Sequence, residues 1–542
     1  MYVRCILVAP CNEWTPRCTG GGDLSVRQQK TWIRLAACGL ALSLLCGCTL
    51  TERLDPSSTT LSDMMSASQR QVGEISIAYY TAEKVNPITT TATINRIICE
   101  ALYEGLFCLN DQFEPEPVLC ESYTMDGTHC TLVLKEGLKF SDGSDVTAED
   151  VVYSYRLAKS TATSLYYDRA SYMSSIRAVD SRTIVIALTA ANSKFLNLLD
   201  IPILKQGTGD QNFAVGTGPF RAAETDTGYE LLPNENWHEG EVQNIPQISL
   251  VGTVRADAVI SSFAAGDISL TRAERISDDP ATIKGAVDVY QTPTTEMHYL
   301  GIRMSHPLLS NPNFRKALSL AIDRTMICKS SLQTFADPAV LPINPQPDMV
   351  QDDRLSGALE QANSYLKQMG IQDSNGDGKV ETSTGQPITL TLLCNEENTF
   401  KTNVCSQLVT AFGQLGITLN VNRVPFEQYQ QALDSGNFDL YYGDLILSPD
   451  FDVRALLMSG GSLNYGRIAD TTLDSRILAV RTASADTLAQ AETAFYEYFL
   501  DQMPMIPLAF ERNQVIVRSG LLTGFSVRPY NMFWAPNEWR LG

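Results

Sequence analysis

Glu100 to Tyr155 reads EALYEGLFCLNDQFEPEPVLCESYTMDGTHCTLVLKEGLKFSDGSDVTAEDVVYSY. Within it, Cys130-Thr131-Leu132-Val133-Leu134 is an apolar, β-branched run set between Asp126-Gly127 and Glu136-Gly137, which predicts a short strand between two turns. Phe140-Ser141-Asp142-Gly143 predicts another turn. Thr147 suits a helix N-cap, since Asp150 follows at the capping-box spacing and an apolar run lies behind it.

Four pieces of this stretch recur in order: Tyr103-Glu104-Gly105-Leu106-Phe107, Pro117-Val118-Leu119 with Glu121-Ser122, Lys139-Phe140-Ser141-Asp142-Gly143, and Val146-Thr147-Ala148-Glu149-Asp150-Val151. Together they resemble the signature of the oligopeptide/dipeptide (family 5) extracellular solute-binding proteins of ABC importers. Gly216-Thr217-Gly218-Pro219-Phe220 and Phe314-Arg315-Lys316-Ala317-Leu318-Ser319-Leu320-Ala321-Ile322-Asp323-Arg324 are similar to two further markers of that family. The family usually carries aspartate before the early proline, where this chain has Asn86-Pro87.

The resemblance implies an α/β, two-lobed, periplasmic-binding-protein-like fold with an extra subdomain in the first lobe and a ligand cleft between hinged lobes. Residues 1–47 are expected to be an N-terminal extension plus lipoprotein signal, and 48–72 a flexible tether. The first lobe is expected over 73–293, with its inserted subdomain at about 95–205. The second lobe is expected over 294–507, and 508–542 return to the first. A chain of 542 residues is long enough for several domains, and its repeated strand–helix–strand pattern suits an α/β lobe.

Arg27, Lys30 and Arg34 precede a short apolar run, Leu35 to Leu45, too short for a stable membrane-spanning helix. The run ends in Leu45-Cys46-Gly47-Cys48, which resembles a bacterial lipobox with Cys48 as the lipidated residue. Acyl chains on Cys48 would hold the domain on a membrane, at about 0.8 kcal/mol per buried methylene. Residues 1 to 24 fit neither signal nor domain and are expected to be an over-extended start, with Val26 a non-Met initiator.

Removing residues 1–47 takes away five basic and two acidic residues and moves the formal charge from −20 to −23. Such a charge argues against a nucleic-acid partner, because a phosphate backbone calls for a basic face. Beyond Cys48, seven cysteines remain, an odd number with no zinc spacing. Cys120 and Cys130, which flank a short hairpin, are the pair best placed for a bridge, but small buried thiols are the expected state.

Asn311 with Pro312 predicts a helix start, and Phe314, Ala317, Leu318, Ala321 and Ile322 form a one-sided apolar stripe that belongs to a core. A helix is predicted over 357–369. Asp373, Asn375 and Asp377 with Gly378 look like the first half of a calcium loop, but Thr384 stands where the bidentate carboxylate belongs. A hairpin connector is the alternative, and no cofactor is implied.

In relatives that bind peptides, a second-lobe aspartate in a Trp-x-x-Asp setting pairs with the ligand ammonium, a charge-assisted contact favoured in a water-excluded cleft. Here the matching segment is Phe438 to Asp452, and Leu445 and Ser448 fall at those two positions. Asp444 is the first alternative anchor and Asp450 the second; either could instead be a turn carboxylate or a second-lobe ion pair. Tyr441, Asn464 and Tyr465 are further cleft candidates, and Tyr103 and Glu104 are placed near the cleft floor.

An enzyme is not expected: the four histidines, His129, His238, His298 and His306, are scattered, and no HExxH, nucleophile elbow or phosphate loop accompanies them. The resemblance implies a monomer delivering a small ligand, by default a peptide, to an ABC permease. Nickel chelates, haem, glutathione or oligosaccharides are bound by other members. A ligand sensor or an adhesive surface lipoprotein are the competing readings.

Overall fold

The computed structural model describes residues 73–255, 258–273 and 286–542. Cys48, the tether and the signal segment lie outside the described residues.

The signature stretch folds as its residues dictate. The Thr147 backbone N–H donates to Asp150 Oδ2 at 2.9 Å and its hydroxyl donates to the same oxygen at 2.6 Å, so helix Ala148–Ser160 starts there. That helix covers a four-stranded antiparallel sheet ordered Cys120–Asp126, His129–Leu134, Thr183–Leu188 and Met173–Ala178. A second sheet is ordered Ile75–Tyr80, Ile248–Thr253, Gly228–Pro233 and Phe220–Thr225, with its first two strands parallel. After the first strand, Asn86 Oδ1 accepts the Ile88 N–H at 2.9 Å while Nδ2 donates to the Gly209 carbonyl at 3.0 Å. An ionised aspartate could not make the second contact. A Cβ on Gly216 would lie 2.2 Å from the Leu102 carbonyl oxygen, so this turn approaches backbone where no side chain fits.

Two large cores organise the chain. One draws on residues from Ile75 to Leu270 and again from Val515 to Trp539; the other runs from Met297 to Phe510. Asn311 caps helix Pro312–Ala321 by accepting the Asn313 N–H at 2.9 Å, and the predicted stripe is buried in the second core. Val287–Ile302 and Ile506–Arg518 are long antiparallel strands that pass from one core to the other. Their register shifts between Pro293 and Met297, and such a bulge bends a ladder without cutting it. A second shift follows between His298 and Tyr299, and two strands joined across these irregularities make a hinge with pairing kept on both sides.

Beyond the hinge, Val287–Ile302 pairs with Leu440–Ile446, and there glycine and tyrosine alternate across the ladder. Gly301 faces Tyr441, Gly443 faces Tyr299, and a Cβ on Gly301 would lie 2.0 Å from the Tyr441 ring. The glycines leave room for the rings to lie flat on the strands.

One boundary departs from the sequence reading. The helix predicted from residue 357 is described over Leu359–Gln368, because Gly357 takes a left-handed φ of 89° and separates it from the short helix Asp352–Ser356. Cys120 and Cys130 are free, buried thiols, the state expected of them. The hairpin register sets Cys120 opposite Leu134 and Cys130 opposite Met125, so flanking a hairpin did not make them cross-strand partners.

Candidate ligand-binding cleft

The inserted subdomain meets the second lobe through a cluster of polar side chains. Asp450 is the centre: Arg481 Nη1 donates to its Oδ2 at 2.6 Å, and Asn192 Nδ2, from the inserted subdomain, donates to the same oxygen at 2.9 Å. Tyr172 reaches across to donate to Asp452 Oδ2 at 2.6 Å, and Arg454 holds that carboxylate at 2.7 Å. The Ser193 N–H and hydroxyl donate to the Arg481 and Val480 carbonyls at 2.9 and 2.7 Å, and Lys194 pairs with Glu492. Asn197 Nδ2 bridges the Phe113 and Pro449 carbonyls at 2.6 and 3.2 Å. Beside these, the Phe113 ring meets Phe451 edge-on at 5.2 Å.

This clasp is almost dry. The Asp450 and Arg481 side chains are 0% and 7% exposed, so their pairing stands in a low-dielectric setting where a missing partner is costly. The pocket beside them is about 40 Å³, lined by Asn192, Ile343, Asp450, Ile477, Arg481 and Phe495. That is far below the roughly 300 Å³ of a small-molecule site. The lobes are in contact here, and a peptide-sized ligand would enter only with the clasp parted.

Toward the hinge, Arg169 pairs with Asp200 and lies over the Tyr166 and Tyr530 rings at 5.0 and 5.6 Å. Tyr530 also shares a hydrogen bond of 3.0 Å with Thr295 in the bulge. Beneath the second-lobe wall, His298 joins the two long strands: its Nε2 lies 2.8 Å from Glu511 Oε1 and its Nδ1 lies 3.1 Å from the Tyr442 hydroxyl.

Each predicted site residue can now be placed. Asp444 faces His298 across the ladder and pairs with Lys401 at 2.9 Å; Asp450 sits in the clasp. Both are held in second-lobe ion pairs. Tyr441 packs on Gly301 and meets Tyr465 edge-on at 6.1 Å, and the Tyr465 hydroxyl accepts from Gln430 at 3.2 Å. Asn464 shapes its own loop, donating to the Met458 and Ile468 carbonyls at 3.0 and 2.8 Å and accepting the Ile468 N–H at 2.8 Å. Tyr103 is buried, its hydroxyl 2.7 and 3.0 Å from the Ala214 and Val85 carbonyls. Glu104 accepts from Trp237 Nε1 at 2.9 Å and lies 3.2 Å from His238 Nε2. The structure thus gathers Tyr441, Asp444 and Tyr465 around one second-lobe strand. Tyr103 lies in the first core, and Glu104 sits against Trp237 of that core.

In the loop from Asp373, carboxylate oxygens of Asp373, Asp377 and Glu381 come within 4.8 Å of one another. Loop groups also donate to these carboxylates, the Lys379 N–H to Asp377 Oδ1 at 2.8 Å among them. Asp373 accepts the Gly376 and Gly378 N–H groups, and Glu381 accepts from Ser374 and from Asn375 Nδ2.

Tyr172, Asn192 and Arg481 escaped the sequence reading. No motif marks them, and they gain a role only because residues far apart in sequence meet at Asp450 and Asp452.

Asp452 gives the clasp a pH dependence. Burial alone would raise its pKa, but hydrogen bonds from Arg454 and Tyr172 and the Arg481 charge hold it below the ordinary carboxylate range. A depressed carboxylate contributes stability above its unfolded value of about 3.9, and that contribution is lost as pH falls through the folded value. The Asp452→Asn variant is expected to lose less unfolding free energy than the parent between about pH 5 and about pH 3. Urea titrations at each pH check this, and identical slopes would refute it.

Two lobes laddered by shared strands and meeting across a cleft define a periplasmic-binding-protein-like fold. The chain belongs to the bacterial extracellular solute-binding proteins, family 5, whose model matches residues 114–466. Members are substrate-binding components of ABC transporters and are not enzymes. The chain is 22% identical over 488 residues to the oligopeptide-binding protein AppA of Bacillus subtilis, covering 84% of this chain and 89% of that protein. It is 26% identical over 282 residues to the glutathione-binding protein GsiB of Escherichia coli K12, where the match covers 47% of this chain and 53% of that protein, about half its length. Among solved structures, a nickel ABC transporter protein from Bacillus halodurans superposes with a TM-score of 0.72 at 19% identity, over 86% of this chain and 99% of that one. Among the described residues, no helix is long and apolar enough to cross a membrane.

Proposed function

We propose that this chain captures oligopeptides or dipeptides between its lobes and delivers them to an ABC permease, as a monomer held on the outer face of the cytoplasmic membrane, or on the periplasmic side, by lipid on Cys48. The lobes on this reading are 73–293 with 508–542, and 294–507. The observation that carries it is the pair of strands, Val287–Ile302 and Ile506–Arg518, whose ladder shifts register twice beside an interlobe clasp. Such a molecule opens and closes about a small hinge, and a ligand that contacts both lobes shifts it toward the closed state. The peptide assignment is supported by the relative that matches along most of the chain, named for oligopeptides. Asp444, on the strand beside Tyr441 and Tyr465, is the acid proposed to meet a ligand ammonium, exchanging its Lys401 pairing for it.

Native mass spectrometry of the purified protein, before and after denaturation, tests this reading. A ladder of retained short peptides is the expected result, reduced in Asp444→Asn. A single defined metabolite or metal chelate would overturn the peptide assignment and leave the importer role. An empty protein whose melting temperature moves with no peptide pool would overturn ligand capture itself.

A further inference from the structure

Phe113, Phe451 and Tyr530 carry left-handed backbones, with φ of 57°, 51° and 59°. Each belongs to a tight turn. Phe113 is the last residue of the loop between strands Phe107–Leu109 and Pro115–Pro117: its N–H donates to the Asn110 carbonyl at 2.9 Å, and the Asn110 N–H donates to the Glu114 carbonyl at 3.1 Å. Phe451 ends the turn Ser448-Pro449-Asp450-Phe451, its N–H donating to the Ser448 carbonyl at 2.8 Å. Tyr530 lies in the turn that Arg528 and Asn531 close with backbone hydrogen bonds of 2.9 and 3.0 Å. The first two are positions at which such turns favour glycine, because a Cβ is crowded when φ is positive.

Aromatic rings thus stand where local turn chemistry opposes them, and these rings converge. The Tyr530 and Phe113 rings are 6.4 Å apart, Phe113 and Phe451 5.2 Å, and Phe451 and Phe510 6.1 Å, each pair edge-on. The row runs from the first lobe to the second between clasp and hinge. Tyr530 bonds Thr295 in the bulge, Phe510 lies opposite Met297 on the long strands, and Phe451 lines the cavity beside the clasp. Asn197 Nδ2 satisfies the Phe113 and Pro449 carbonyls, so the surface that meets across the lobes at this point is ring.

We propose that Phe113 and Phe451, with Tyr530 beside them, form a specificity-determining wall of the interlobe site and select a ligand bearing an aromatic or bulky aliphatic side chain. This rests on the peptide-capture reading and names the class of peptide. Parting the lobes separates Phe113 from Phe451 and leaves both rings facing water. A ligand side chain of the same chemistry enters between them and is buried on closure, by edge-on ring contact or by its apolar area. A carboxylate there would shed its hydration against rings that return no hydrogen bond. Unfavourable backbone at several residues of one cluster is the pattern of a ligand clamp rather than of a connecting loop.

The test equilibrates the full chain with a pool of synthetic di- to octapeptides in which phenylalanine, leucine, alanine and glutamate are equally represented at every position, and identifies the retained peptides by native mass spectrometry. The expected result is an enrichment of phenylalanine or leucine over glutamate of about tenfold or more at one ligand position, the selectivity that burying one bulky apolar side chain confers. In Phe113→Ala and in Phe451→Ala, each verified as folded by a cooperative melt, that ratio should fall toward parity while peptides are still retained. Phe451→Leu should keep most of it. Retained peptides that mirror the pool in the parent would overturn the wall and leave peptide capture standing. Undiminished enrichment in both folded alanine variants would place the selectivity elsewhere and overturn it as well. A parent that retains no peptide overturns the capture reading and this one with it. The parent's own ratio decides even where a variant fails to fold.

Discussion

Arg481→Met is expected to destabilise the protein by about 3–5 kcal/mol, the range for breaking a buried ion pair by removing one partner. Asp450 is the reason. Its side chain has no exposure, and its Oδ2 takes one hydrogen bond from Arg481 at 2.6 Å and one from Asn192 at 2.9 Å. Methionine fills much of the volume without supplying a charge, so the carboxylate is left with the Asn192 amide and the Ser448 hydroxyl as its remaining partners. The penalty is the desolvation of an unpaired anion, and it is larger than the worth of the pair itself. A double variant, Arg481→Met with Asp450→Asn, should therefore recover most of the loss. Equilibrium urea unfolding measures both. A single-variant cost below about 1 kcal/mol would show that Asp450 can reach water or rotate to a new partner.

The second large effect is on ligand retention. Tyr172→Phe combined with Asn192→Ala removes the two side-chain donors that the inserted subdomain extends to Asp452 and Asp450. Hydrogen bonds to charged groups contribute about 1.5–3 kcal/mol each, but in the open state water replaces both. A net loss of about 2 kcal/mol from the closed state translates into affinity about thirty-fold weaker, at 1.4 kcal/mol per tenfold. Each lobe keeps its own core, so the unfolding midpoint should move little. Calorimetry with the co-purified ligand reads the affinity, and small-angle scattering reads the opening as a larger radius of gyration. Unchanged affinity in a folded double variant would mean that the clasp plays no part in closure.

These two effects depend on features that were unequally visible in the sequence. The helix over Ala148–Ser160 was legible because its start is local chemistry: Thr147 and Asp150 satisfy each other within one turn. The stripe from Phe314 to Ile322 was legible because helical periodicity places those residues on one face, whatever covers it. The ordered family markers extended those local readings to a two-lobed fold.

The chemistry of the cleft was not legible in that way. Asp444 and Asp450 could be named as acids near the ligand wall, yet what they do is decided by Lys401 and by Arg481 with Asn192. A carboxylate six residues from another looks the same in a string, whether it ends up exposed or sealed between lobes. The thiols give the same lesson: Cys120 and Cys130 look paired across a turn, and the register separates them. By itself, then, the sequence determined elements, their capping and the class of fold, since these follow from residues close along the chain. The tertiary structure alone decided which charges are buried and which partners they hold, because electrostatic environment is set by what approaches through space.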